Sequence, residues 1–201
     1  GLLGSGWQAG SQVMAIAAVR DVKKVLCFSP NQDRRKAFCR EMSENLEIEF
    51  VPVARAKDAI QNADAVVCAT SSINHILSQD DVQPGQFISS IKLAEIAPAA
   101  LSAINKVVIH LDAPSSTRLT TEGLEVVEVT QGEGDGVGQS FDLSTSPTAF
   151  DLLAGRAQGR TSETETTCFL NNVGLGYQFA AIGALLVEKA RERGVGNEVP
   201  T

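Results

Sequence analysis

Gly-Leu-Leu-Gly-Ser-Gly-Trp-Gln-Ala-Gly, residues 1–10, is an apolar stub that runs straight into the pattern Gly4-x-Gly6-x-x-Ala9. Each small residue has a separate task in a strand–turn–helix that cradles a dinucleotide pyrophosphate. Gly4 permits a sharp exit from a strand, Gly6 lets the backbone approach a phosphate with no Cβ in the way, and Ala9 keeps the following helix close to the sheet. The helix N-terminus then offers unpaired N–H groups and a partial positive charge. A glycine turn by itself is a weak signal. The pattern also demands a buried strand before it, a helix after it and a second parallel strand beyond.

That context is present. Leu2 and Leu3 supply the end of a strand, and Val13, Ile16, Ala17 and Val19 recur at helical spacing through residues 12–19. Lys24-Val-Leu-Cys-Phe28 reads as a second, fully buried strand. The alternation continues with a helix over 34–42, a strand over 48–53, a short helix over 56–62 and a buried strand over 65–69. A Pro84-Gly85 turn introduces a fifth strand over 87–91, which delivers Lys92 to the same sheet edge as the glycine turn. A sixth strand, 106–111, ends at Asp112, a further strand covers 124–129, and a last helix covers 177–193. This order predicts an α/β fold of the Rossmann type, a doubly wound, mostly parallel sheet with helices on both faces and ligands beyond the carboxyl ends of the strands. With 201 residues the chain is expected to form one dinucleotide-binding domain over 1–201.

Composition narrows the partners. The formal charge of −7 and the absence of a clustered Lys/Arg stripe argue against a nucleic-acid surface. The apolar runs are strand-length or broken by glycine, too short to span a membrane, and no basic segment precedes an apolar run at the start as in a secretory signal. Cys27, Cys39, Cys68 and Cys168 are scattered, with no CxxC and no histidine at ligand spacing, so they read as small buried hydrophobes and no metal site is expected. A reducing cytoplasm and small-molecule partners fit this pattern. The glycine-rich stretch 130–138 lacks the repeated aspartates of a calcium loop and reads as a surface loop. His75 and His110 have no partner carboxylate at evident spacing and read as structural.

The end of the second strand is where such a fold chooses between NAD and NADP. An acid there binds the ribose 2′-OH, whereas small polar and cationic residues accommodate a 2′-phosphate. Here the strand ends Phe28-Ser29-Pro30-Asn31-Gln32-Asp33-Arg34-Arg35, with no acid at position 29. Ser29 and Asn31 can hydrogen-bond a phosphate and Arg34 or Arg35 can pair with it, which favours NADP. The alternative is that both arginines are solvated at the start of a surface helix and Asp33 reaches the ribose of NAD. Thr70-Ser71-Ser72, after the fourth strand, is suited to packing against ribose and nicotinamide, and is also ordinary turn composition.

Four blocks together resemble the ornithine cyclodeaminase/μ-crystallin family: residues 1–9, Ala-Asp-Ala-Val-Val-Cys-Ala-Thr-Ser-Ser (63–72), Gly-Arg-Thr-Ser (159–162) and Thr-Thr-Cys-Phe-Leu-Asn-Asn-Val-Gly-Leu-Gly-Tyr-Gln (166–178). The resemblance covers essentially the whole chain. It implies NAD(P)-dependent chemistry at the carbon–nitrogen bond of an amino or imino acid, namely ketimine reduction, amino-acid dehydrogenation or ornithine cyclisation, and a homodimer in the full-length protein. It assigns pyrophosphate contacts to Gly6, Trp7 and Gln8 and adenosine-ribose contacts to Ser29 and Asn31. Thr70 and Ser71 fall along the nicotinamide side, Ser90 and Ile91 beside the ring, and Asn172 approaches it from a C-terminal strand. Gly174 and Gly176 also allow the last helix to pack tightly on the sheet.

The sequence departs from the family pattern in two places. Family enzymes carry an N-terminal domain ahead of the glycine turn that dimerises and holds the substrate carboxylate; this chain opens within the strand and reads as the cofactor-binding portion, its helix 177–193 packing back toward that domain. Cyclodeaminases carry an aspartate just after the fifth strand, where this sequence has Ser90-Ile91-Lys92-Leu93-Ala94-Glu95, and Glu95 matches a later family glutamate. That change argues against ornithine cyclisation, and no catalytic residue is assigned. A dinucleotide-binding protein without turnover, of the crystallin type, is the alternative to an enzyme.

Overall fold

A computed structural model describes residues 1–110, 116–120, 123–127, 141–171 and 176–197. The chain proceeds through β1 (Leu2–Leu3), α1 (Trp7–Ala17), β2 (Lys24–Phe28), α2 (Gln32–Leu46), β3 (Glu49–Pro52), α3 (Ala56–Ile60) and β4 (Ala65–Cys68). It continues with β5 (Phe87–Ser90), a 3-10 turn at Leu93–Glu95, α4 (Pro98–Ala103) and β6 (Lys106–Ile109). An antiparallel pair, β7 (Ser116–Thr120) and β8 (Gly123–Val127), precedes α5 (Ala149–Leu153), β9 (Thr167–Leu170) and α6 (Gly176–Arg193).

Seven strands make one sheet in the order β3-β2-β1-β4-β5-β9-β6, and all six pairings are parallel. The alternating strands and helices of the sequence give this half-and-half winding about β1. β9 inserts between β5 and β6, leaving β6 at the edge. Its Cys168 and Leu170 are fully buried on one face, the demand made of an interior strand, while edge residue Lys106 pairs with Glu165 at 3.3 Å.

Side chains alternate faithfully across the sheet. Leu2, Cys27 and Val67 point to one face, where they meet Ala9 and Val13 of α1 and Cys39 and Met42 of α2. Leu3, Val66 and Cys68 point to the other, against Ala59 and Ile60 of α3 and Ala100 and Leu101 of α4. Helices therefore cover both faces, and each fully buried Leu or Ile contributes about 1.5–3 kcal/mol relative to an exposed one. The four thiols are buried and unpaired in disulfides, and burial pushes that of Cys168 up to about 12. Among the described residues no helix is long and apolar enough to cross a membrane.

Three features differ most from the sequence reading. α1 begins at Trp7 rather than at residue 12, because Trp7 and Gln8 face solvent and add nothing to the apolar period, while the small Ala9 is fully buried. The strand expected over 124–129 is β8, paired with β7 outside the main sheet. The last helix is not seated on the sheet: Phe179, Ile182, Leu185 and Leu186 of α6 are each more than half exposed, and nothing approaches the position of a Cβ on Gly176. Asp112, the glycine-rich stretch 130–138, Asn172 and Gly174 lie outside the described residues.

Candidate cofactor site

β1, β2 and β4 end side by side, and a cleft of about 770 Å³ opens over their carboxyl ends. Its floor is the glycine turn. Gly4 has φ +120°, and a Cβ there would stand 2.2 Å from the carbonyl oxygen of Ala69, so only glycine lets β1 turn this close to β4. Its amide continues the ladder to Phe28 O at 2.8 Å, and Ala69 N does the same to Leu3 O at 2.9 Å. Gly6 is different. It is the N-cap of α1 with ordinary φ −100°, and a Cβ there would meet nothing within 4 Å. The open space is the cleft itself.

No side chain caps α1, and its first turn contains no acid. The leading amides of an eleven-residue helix thus face the cleft without a partner from a capping side chain. Such a terminus has a partial positive charge and is a ready seat for an anion. Ala9 lies beneath it at 0% exposure and closes the helix onto the sheet.

One end of the cleft follows β2. Ser29 and Ser5 share a hydroxyl–hydroxyl hydrogen bond of 2.7 Å that ties this strand end to the glycine turn. Asn31 Oδ1 accepts from Arg34 N at 2.9 Å and caps α2, which leaves its NH₂ uncommitted by that bond. Ser29, Asn31 and Arg34 line the cleft together with Phe28 and Pro30. Arg35 turns under the floor instead. Its guanidinium donates to Ser29 O and lies 5.6 Å from the Phe28 ring centroid. Of the two arginines, only Arg34 is on the cleft wall.

The other end follows β4 and β5, where Thr70, Ser71, Ser72, Ile76 and Ile91 line the wall. It is fastened by Glu95, whose side chain is fully buried. Glu95 Oε1 accepts from Thr70 N at 2.6 Å and from Thr70 Oγ1 at 2.7 Å; Oε2 lies 2.8 Å from Ser90 Oγ and accepts from Ile91 N at 3.2 Å. A carboxylate so deep is tolerated because its lone pairs are filled. The Ser90 hydroxyl sits between Glu95 and Lys92 O, at 2.6 Å from the latter, and is turned away from the cleft. Ile91 replaces it on the wall.

Gly4, Gly6, Trp7, Gln8, Ser29, Asn31, Arg34, Thr70, Ser71 and Ile91 are thus brought together around one cleft, with Ala9 and Ser90 buried behind it. A family model described as ornithine cyclodeaminase/mu-crystallin matches residues 1–194. The chain belongs to the ornithine cyclodeaminase/mu-crystallin family. Within that family it is 28% identical over 203 residues to the Delta(1)-pyrroline-2-carboxylate reductase of Bacillus cereus, covering 98% of this chain and 59% of the relative. It superposes with a TM-score of 0.76 and 25% identity on the Thermococcus litoralis Delta(1)-pyrroline-2-carboxylate reductase in complex with NADH and L-proline, over 98% of this chain and 59% of that one. The iminosuccinate reductase of Paracoccus denitrificans in complex with NAD⁺ shares the fold with a TM-score of 0.73 at 21% identity, over 100% of this chain and 59% of the other. The chain therefore spans about 59% of the length of these family members.

Sequence reasoning missed two features of this family member's site. Ser5 occupies a variable position of the glycine pattern, and its bond to Ser29 depends on two turns meeting in space. Glu95 matches a family glutamate, and its position in the sequence gives it no task. A buried acid three residues beyond a lysine carries no periodic signal that marks it as the brace between two strand ends.

Proposed function

We propose that this chain is the cofactor-binding part of an NAD(P)-dependent oxidoreductase that acts on the carbon–nitrogen bond of an amino or imino acid, as an imine reductase or amino-acid dehydrogenase. The observation that carries this reading is the uncapped, acid-free start of α1 in a cleft with bare backbone at Gly6. The reductase names and the NADH and NAD⁺ complexes of its relatives support it.

In this reading the amides of Gly6, Trp7 and Gln8 take the pyrophosphate, with Gly4 and Ala9 fixing the turn and the helix beneath it. Ser29, Asn31 and Arg34 take the adenosine ribose. Three hydrogen-bonding or cationic groups and no acid on that wall favour a 2′-phosphate, hence NADP over NAD. Thr70, Ser71, Ile91 and Asn172 take the nicotinamide side, with Ser90 supporting Ile91 from behind. When bound, the dinucleotide supplies hydride transfer; the protein supplies position and a dry wall, here from Phe28, Ile76 and Ile91.

Four buried free thiols fit a reducing cytoplasm, and the exposed apolar face of α6 fits a homodimer of the full-length protein. The test is a reductase assay on the full-length protein with NADPH and NADH against cyclic ketimines and 2-oxo acids plus amines. Turnover of at least one imino acid is expected; dinucleotide binding without turnover of any contradicts the proposal.

A further inference from the structure

Beneath the adenosine end of the cleft lies a positive charge that the protein does not compensate. Arg35, in the opening turn of α2, is 6% exposed and is the one buried arginine or lysine among the described residues. A guanidinium offers a fork of N–H donors. Nη1 donates to Ser29 O and Cζ lies 5.6 Å from the Phe28 ring centroid, but Nε is fully buried without an acceptor.

No carboxylate neutralises this group. Arg35 takes part in no ion pair among the described residues, and Asp33, the acid in the same turn of α2, is exposed. The titratable groups that face it from β2 and α2 are the thiols of Cys27 and Cys39, which burial holds in the neutral form. A cation withdrawn from water and left unpaired destabilises a fold, so its presence calls for an anion close by. The chain supplies none.

Arg35 touches two residues of the cleft wall, Ser29 and Phe28, at the end where Asn31 and Arg34 also stand. It is not itself on the wall. An anion bound at this end meets Arg34 directly and Arg35 through a packed strand end, which screens a charge far less than water does.

We propose that Arg35 is a positioning residue that makes this end of the cleft selective for a 2′-phosphate, by fixing the Ser29 backbone and by supplying a buried countercharge from beneath the floor. This rests on the dinucleotide reading of the cleft and deepens it, because selectivity is assigned to a residue outside the wall. A neutral 2′-OH gains nothing from that charge, so the discrimination falls on the phosphate.

The experiment uses the full-length protein with Arg35→Met and Arg35→Lys, and it requires no turnover. Calorimetry gives the affinities of NADPH and NADH, and of adenosine 2′,5′-bisphosphate and adenosine 5′-monophosphate, two pairs whose members differ by the 2′-phosphate. Thermal melts without ligand report stability.

The wild type is expected to prefer the 2′-phosphorylated member of each pair. For Arg35→Met, affinity for NADPH and the bisphosphate falls at least about tenfold, while affinity for NADH and the monophosphate stays within about threefold. Arg35→Lys keeps the charge and retains most of the preference. Unliganded Arg35→Met melts within about 4 °C of wild type, since it exchanges an unpaired buried charge for an apolar chain of similar length.

Equal losses on both members of each pair, or a melt lowered beyond that range, reduce Arg35 to a structural tie of Ser29 and overturn the proposal. A wild-type preference for NADPH that survives in Arg35→Met overturns the role of Arg35 alone. A wild type that binds NADH as well as NADPH, or better, overturns the 2′-phosphate assignment and Arg35 with it. Failure to bind either dinucleotide overturns the reading of the cleft itself.

Discussion

Glu95 Oε1 accepts two hydrogen bonds from Thr70, from the amide at 2.6 Å and the hydroxyl at 2.7 Å, and so fixes the end of β4 at the height of the cleft wall. The other oxygen takes the Ile91 amide after β5. Two backbone N–H groups therefore point at opposite oxygens of one fully buried side chain. Glu95→Gln sets a carboxamide NH₂ against one of them, and no rotamer satisfies both. The variant loses about 1–3 kcal/mol of stability, read as a lower urea midpoint at unchanged m. An unchanged midpoint contradicts the bracing role.

Gly4 is the position where close approach has the largest consequence. Gly4→Ala combines φ +120° with a Cβ 2.2 Å from Ala69 O and is expected to cost about 3 kcal/mol or more, since two backbone segments must part. Gly155→Ala is the control, with φ +69° and nothing within 4 Å, at about 1 kcal/mol. Thermal melts compare them. Similar losses at both sites indicate that the Ala69 contact does not constrain the turn.

Ser29→Asp tests cofactor preference. A carboxylate beside Asn31 repels a 2′-phosphate and offers an acceptor to a 2′-OH, so the ratio of NADPH to NADH affinity falls by about tenfold or more. A constant ratio means that the wall after β2 does not read the ribose.

The sequence reading was strongest where burial and period coincide. Lys24–Phe28 and the start of Phe87–Ser90 are where their apolar runs put them, but β2 is not fully buried as expected: only Val25 and Cys27 are, while Lys24 stands exposed at its start and Phe28 reaches the cleft wall. The place of β9 in the sheet is not legible, since Thr167–Leu170 reads as one more short apolar run and strand order is settled by which position in the sheet can bury Cys168 and Leu170 on the same face. The residues around the glycine turn were legible because a phosphate cradle constrains backbone, and backbone constraints surface as glycine. Ser90 shows the limit: position brought it to the right strand end, but its hydroxyl is taken by Glu95 and Lys92 O, a choice made by side-chain packing.

Acid stability has a local signature at the start of α5. The hydroxyl and amide of Thr148, and then Arg156, hold the Asp151 carboxyl down from its ordinary 3.8 to about 2. A folded-state pKa below the unfolded one gives stability that is complete above about pH 4 and is lost as pH falls toward 2. Asp151→Asn removes that increment, so its denaturation midpoint differs from wild type at pH 6 and converges on it near pH 2. Parallel profiles over this window contradict the assignment.

The central claim is that the bare backbone at Gly6 and the uncapped start of α1 seat a pyridine dinucleotide. Calorimetric titration of NADPH and NADH into the folded protein and its Gly6→Val variant tests it most directly. Since a side chain at Gly6 meets only the open cleft, the variant is expected to melt within about 1 kcal/mol of wild type yet bind at least about tenfold more weakly. Failure of the wild type to bind either nucleotide, or equal binding by Gly6→Val, contradicts the account.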